Sequence, residues 1–160
     1  MPNWTYNNLQ FIGKTEDNVK QLKDLLKSDD NEFDFNNIIP MPKHIFQGNL
    51  GQEEREKHGK NNWYDWSIMN WGTKWNACNT EVELNENVLN YTFETAWDAP
   101  REIVRALEHM KETILKDISI DWNCTHEDGN EEETLLVVDD EYTPRSNVHA
   151  RIKTCVGRTC

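Results

Sequence analysis

Polar and apolar residues alternate from Trp4 to Ile12, with Leu9 and Phe11 on one side, and this period of two predicts a first strand. Gly13 and Lys14 turn the chain. Thr15, followed by Glu16 and Asp17, predicts a helix start: a hydroxyl cap, then acids at the positive end of the helix dipole. Val19, Leu22, Leu25 and Leu26 recur at helical spacing to about Lys27, where KSDDNE ends the pattern with turn-forming residues. Residues 33–46, FDFNNIIPMPKHIF, follow neither period. Pro40 and Pro42 exclude a regular helix and oppose a central strand, so an extended connector is expected, held down by Phe33, Phe35, Ile38 and Ile39. Residues 51–62 are charged and have no apolar face, as in an exposed loop or a short surface helix.

The stretch TEVELNENVLNYTFETAW, 80–97, predicts a hairpin. Val82 and Leu84 alternate with Glu81 and Glu83, Asn85–Asn87 turns the chain, and Leu89, Tyr91, Phe93, Thr95 and Trp97 share one face. Asp98 is placed to cap a helix with Pro100 in its first turn, and Ile103, Leu107, Met110 and Ile114 form the stripe of that helix, widened by Val104 and Leu115. Alternation returns through Ile118, Ile120 and Trp122, and 134–138 offers one more strand. The order β-α-β-β-α-β predicts an α+β domain with helices on one face of an antiparallel sheet, the ferredoxin-like arrangement. A long Trp-rich insert, 33–75, follows the first helix, and an extra strand follows the last. Residues 1–142 are thus expected to form one domain, and 143–160 a basic tail or edge segment.

Composition limits how such a domain is filled. With 36% hydrophobic residues and a mean hydropathy of −0.88, the core has to rest on bulky side chains, which seven Trp, five Phe and four Tyr supply. The net charge of −12 narrows function most. It disfavours phosphate backbones and anionic membranes, and it favours a basic protein partner or mimicry of nucleic-acid charge. No apolar run approaches the roughly 18 residues of a membrane span, and MPNWTYNNLQF lacks the basic and apolar regions of a secretory signal, so a cytoplasmic protein is expected. Cys78, Cys124, Cys155 and Cys160 form no CxxC pair and match no zinc or iron–sulfur spacing; free thiols and no cofactor are expected.

Four stretches, MPNW, FDFNNIIPMP, WYDWSIMNWGTKWNA and YTFETAWDAP, occur in this order over residues 1 to about 125. Together they resemble the YubB-type or Api-like ferredoxin-like domain of small phage- and plasmid-borne proteins. The resemblance implies a ferredoxin-like α+β fold and a mobile-element origin, no cofactor, and no catalytic residue that can be carried over. Two features depart from it. Thr5 stands where members often have Cys or Ser, and TPRSNVHARIKTCVGRTC has no recognisable counterpart.

Two regions attract a functional reading. Trp63, Trp66, Trp71 and Trp75 lie within thirteen positions and are expected to wedge the insert onto the sheet or its helices, with Gly72 allowing a tight bend and Asn70 and Thr73 capping loose ends. The competing reading is a surface where these indoles stack on a base or anchor a partner, with Lys74 as its cation. The second region, 117–142, holds Asp117, Asp121, Glu127, Asp128, Glu131, Glu132, Glu133, Asp139, Asp140 and Glu141 and no Lys or Arg. It reads as a solvated strand edge and turn, or as an electronegative surface that captures a basic partner. The tail carries Arg145, Arg151, Lys153 and Arg158 and is expected to fold back on the acidic segment; a free arm or an added edge strand are the other readings.

Catalytic signals are sparse. His126 beside Glu127 and Asp128 is a weak metal cluster, and Cys124 with His126 forms a nucleophile pair without an evident orienting group. No P-loop, GxGxxG, HExxH or GxSxG occurs. The expected function is therefore non-enzymatic: an acidic protein-binding module of a phage or mobile element, acting on a host defence protein. The alternatives are a small-ligand or nucleotide binder using the Trp-rich insert, and a single-stranded nucleic-acid binder. The last is opposed by charge and by the absence of the RNP pattern.

Overall fold

Leu9 and Phe11 stand at the centre of strand β1 (Trp4–Gly13), and the whole architecture is arranged around them. The computed structural model describes residues 3–110, 113–136 and 153–154, the last two and 132–136 as backbone. Helix α1 (Glu16–Leu26) follows β1, the hairpin β2 (Cys78–Asn85) and β3 (Val88–Ala96) follows the insert, and helix α4 (Arg101–His109) leads to β4 (Ile118–His126), β5 (Glu131–Leu136) and β6 (Lys153–Thr154). Every neighbouring pair of strands is antiparallel, in the order β2-β3-β1-β4-β5-β6. The molecule is therefore α+β, with one more terminal strand than the pattern predicts. Among the described residues no helix is long and apolar enough to cross a membrane.

Register explains the core. Leu9 lies between Tyr91 and Trp122, and Phe11 between Leu89 and Ile120, so period two delivers a continuous apolar row across three strands. Val19, Leu22 and Leu26 of α1 and Ile103, Val104 and Leu107 of α4 join the same cluster, so both helices cover one face of the sheet. Three polar residues, Thr5, Asn7 and Thr95, interrupt that face. Buried Asn7 donates to the Thr5 carbonyl and to Thr95 Oγ1, each at 3.0 Å, and accepts from Trp122 Nε1 at 3.2 Å. A buried amide with its partners supplied removes the penalty of an orphan polar group and pins the register of β1 against β3 and β4.

Helix α1 starts as Thr15 predicts. The Thr15 hydroxyl accepts from Asn18 N and Asn18 Oδ1 accepts from Thr15 N, a capping box completed by Asn where Glu or Gln is commoner. Four details differ from the pattern. Leu25 is exposed at the flank of the stripe. Asp98 does not cap α4: Pro100 holds the N-cap position, and Asp98 pairs with Arg101 at 2.8 Å. The regular helix ends at His109, so the spacing that would bury Ile114 no longer applies; Ile114 is 53% exposed while Leu115 turns into the core. Trp97 leaves the face it was expected to share, because the chain passes into the left-handed region there (φ 79°).

The insert is partly helical. A 3-10 turn at Phe35–Asn37 interrupts the expected extended connector, α2 (Gln52–His58) is the expected surface helix with no buried residue, and α3 (Trp63–Asn70) carries the first two indoles of the cluster. Phe33 and Phe35 are fully buried and touch Phe93, joining the insert to the core over β3. Ile38 and Ile39 pack against it while half-buried.

Candidate functional site

Two surfaces hold the predicted residues. The first is the face of the sheet opposite the helices. On β1 it bears Tyr6, Asn8, Gln10 and Ile12. Register sets these beside Glu94, Thr92, Asn90 and Val88 of β3 and beside Thr125, Asn123, Asp121 and Ser119 of β4. Beyond β3 lie Glu81, opposite Thr92, and Glu83, opposite Asn90. Tyr6 is 51% exposed, and Asn8, Glu81, Glu83, Thr92, Asn123 and Thr125 also face water. Strands β1 to β5 contain no Lys or Arg. Tyr6, Asn8, Asn79, Glu81, Glu94 and Asn123 help line a shallow hollow of about 450 Å³ on this face. At its rim the register slips between Cys78 and Glu81, and Asn79 takes a left-handed backbone (φ 48°) and donates to Glu94 Oε2 at 2.7 Å. The irregularity thus re-aims one amide and holds one carboxylate over the hollow.

The predicted acidic segment is divided among several places. Asp121 is half-buried on this face, and Glu131, opposite Thr125, is exposed. By register Glu133 follows Asn123 and Glu132 follows Cys124, so the two fall on opposite sides of the sheet. Asp117 pairs with Lys14 at 3.3 Å. Glu127 and Asp128 build the β4–β5 turn: Glu127 Oε2 accepts from Trp4 N, and the two Asp128 oxygens accept from Asn130 N and Nδ2. Asp139, Asp140 and Glu141 lie outside the described residues, as do Arg145, Arg151 and Arg158 of the tail; Lys153 is described, opposite Glu133. The hairpin acids Glu81, Glu83 and Glu94 are the functional candidates that sequence reasoning passed over. The alternation of Glu81 and Glu83 with Val82 and Leu84, and of Glu94 with Phe93 and Thr95, is the available signal, since a strand with one buried face turns the intervening residues outward.

The second surface is the insert. Trp71 is 4% exposed, donates from Nε1 to the Ile39 carbonyl at 2.9 Å, and meets Phe35 and Trp66 edge to face. Trp63 donates from Nε1 to the Gly48 carbonyl at 3.0 Å. Trp63, Trp66 and Trp75 are half-buried, so none of the four indoles lies open to solvent. The bend after Trp71 needs Gly72, whose φ of 80° lies in the left-handed region that favours glycine. Asn70 donates to the Trp66 carbonyl and Thr73 to that of Trp75, closing local ends.

Asp34 ties the start of the insert to its end at Asn76. Burial opposes its charge, but hydrogen bonds from Asn76, from the backbone and side chain of Asn36 and from Ser28 outweigh burial and hold the carboxyl below its usual range. Asn76 Oδ1 in turn accepts from Phe35 N.

Around the insert runs a sequence of rings and cations. The Arg55 guanidinium lies 5.2 Å from the Tyr64 ring, Tyr64 meets Trp97 edge-on at 5.8 Å, and Lys74 Nζ lies 4.8 Å from the Trp97 centroid and 4.5 Å from that of Trp75. Trp97 is 45% exposed on its left-handed backbone, a conformation that costs a bulky residue about 1–3 kcal/mol.

The Cys124–His126 pair does have a third group. Cys124 Sγ lies 3.9 Å from His126 Nε2, and His126 Nδ1 lies 3.1 Å from Thr5 Oγ1. The thiol is buried, however, at 2% exposure, which leaves no approach for a substrate. Burial, helped by nearby Glu94, raises the Cys78 thiol above its ordinary value, the opposite of activation. Among the described residues no group of three His, Cys, Asp or Glu could hold a metal ion. Compared with family models, with curated proteins and with solved structures, the chain matches none.

Proposed function

We propose that this protein is a non-enzymatic binding module that captures a basic protein surface on the uncovered face of its sheet. The observation that carries this reading is the charge of that face. Glu81 and Glu94 line the hollow, Glu83 and Asp121 stand on the next rung of the same face, exposed Tyr6 supplies an apolar contact, and five strands contribute no cation to offset them. Complementary charge of this kind steers encounter and selects partners. Phosphate backbones would be repelled by the same face.

The ferredoxin-like arrangement belongs to this proposal. Its support is the strand order β2-β3-β1-β4 with a helix-bearing crossover on each side of the hairpin, extended at one edge by β5 and β6. Under the resemblance to the YubB-type or Api-like domain, the module serves a mobile element in the host cytoplasm, and a basic, nucleic-acid-binding defence protein is the partner of matching chemistry.

The test is capture from host lysate on immobilised protein at low and high salt, with a Glu81→Lys, Glu83→Lys, Glu94→Lys variant alongside. Capture is expected at low salt, to fade at high salt, and to vanish in the variant. A Glu127→Lys, Asp128→Lys variant is expected to keep it. Equal recovery by the sheet-face variant and the unaltered protein would overturn the reading.

A further inference from the structure

The charge of the chain is unevenly distributed. Residues 33–76 contain five acids and five Lys or Arg, so the whole negative excess lies outside the insert. Within the insert a second hollow, of about 290 Å³, opens between the 3-10 segment and α3. Met41, Trp63, Trp71, Trp75, Lys74 and Gln47 help line it. This volume is at the lower end of small-molecule sites and suits one or two fused rings.

Its walls are set in advance. The indole N–H groups of Trp71 and Trp63 are committed to the Ile39 and Gly48 carbonyls, so neither ring turns freely and ordering them costs little on binding. Asn36 and Asn76 also border the hollow, but their amides are engaged with Asp34, Met41 N, Phe35 N and Ala77 N. Selection is left to Trp75, whose N–H makes no hydrogen bond among the described residues, and to Lys74 and Gln47.

Lys74 gives the site its sign. In a chain of net charge −12, its ammonium meets no carboxylate among the described residues and lies over the Trp75 and Trp97 rings instead. The strained backbone of Trp97 serves this arrangement, since it projects the second ring against the cation. Rings hold a cation weakly compared with a carboxylate, so an incoming anion gains a charge-assisted hydrogen bond without breaking an ion pair.

We infer that this cleft binds a small planar aromatic anion, the ring between the indoles and the negative group on Lys74. A carboxylate and a phosphate share the chemistry required, and the ring selects for stacking rather than for a particular base. The site is independent of the acidic sheet face.

Quenching of tryptophan fluorescence tests it with four probes: indole-3-acetate and adenosine monophosphate as anions, indole and adenosine as their neutral counterparts. At least one anion is expected to quench saturably and about tenfold more tightly than its neutral counterpart, the worth of one charge-assisted hydrogen bond. Which anion does so separates a carboxylate from a phosphate ligand. Lys74→Met is expected to abolish the preference and Lys74→Arg to retain it, while the Glu81→Lys, Glu83→Lys, Glu94→Lys variant binds as the unaltered protein does. Absence of saturation with all four probes, equal affinity for charged and neutral partners, or a preference that survives Lys74→Met would each overturn the inference.

Discussion

The uncovered sheet face and the insert both present side chains to water, yet they are built by opposite means. The face is a ladder, slipped once between Cys78 and Glu81, whose outward residues are mostly polar or acidic and include no Lys or Arg along β1 to β5. The insert is irregular backbone held by rings. Trp71 and Phe35 are its anchors, Asp34 is its polar clasp, and its cations Arg55 and Lys74 lie against aromatic rings. A ladder carries recognition residues at little cost to stability, because pleating alone turns them outward. An irregular excursion has to bury large side chains to stay in place, so its recognition residues and its anchors overlap.

Substitutions should separate the two regions by size of effect. The largest is expected from Trp71→Ala, which empties a buried indole site and should remove about 3–5 kcal/mol of unfolding free energy, measured by urea denaturation with circular dichroism. A loss near that of a surface change would break the wedge reading. Asp34→Asn should cost about 1–2 kcal/mol by weakening charge-assisted hydrogen bonds. Its pH signature is specific. The folded-state pKa of Asp34 is depressed, so its contribution is present above the ordinary carboxyl value of 3.8 and is lost as pH falls through the lower folded value. Acid titration of tryptophan fluorescence should show this loss in the unaltered protein and not in Asp34→Asn.

Tyr91 lies on the covered side of β3, the strand that carries Glu94 and Thr92 on its other side. Its hydroxyl is buried without a hydrogen-bond partner among the described residues, so Tyr91→Phe should stabilise by about 1 kcal/mol in thermal melting at neutral pH. Burial, with Glu32 and Asp24 adding to it, raises the Tyr91 phenol well above its usual 10.0. The stability linked to it is therefore complete below pH 10 and lost as pH rises beyond, and Tyr91→Phe should be spared that alkaline loss. The smallest change in folding free energy, under about 0.5 kcal/mol each, is expected for Glu81→Lys and Glu83→Lys, the substitutions that should weaken capture of a basic partner most. A large drop in melting temperature there would show that the face is structural, and the contrast between the regions would disappear.

Much of the framework is readable from local pattern. Leu9 and Phe11 on β1, the Thr15 cap, the period-two run from Leu89 to Thr95 and the return to alternation at Ile118 all follow from residues within one or two turns of each other. The errors fall where that locality fails. Trp97 continues the spacing of β3 but not its backbone, and Ile114 continues the stripe of α4 past the end of the helix. The acidic segment 117–142 was conspicuous as a run, but a run along a strand is divided by the pleat between two faces. The charge of the open face joins Asp121, Glu131 and Glu133 of that run to Glu81, Glu83 and Glu94 of the hairpin.

What the amino-acid sequence determined by itself is the kind and order of the main strands and helices, the aromatic character of the core and the sign of the overall charge, because these depend on period, capping and composition. The tertiary structure alone decided which acids share a surface, that Lys74 lies between two rings, and that Trp63, Trp71 and Trp75 line a hollow as well as hold the insert. The acids of the face, the Lys74–Trp97 contact and the reach of the hollow from Asn36 and Met41 to Trp75 each span more than twenty residues, and only the pairing of strands and the folding back of the insert bring them together.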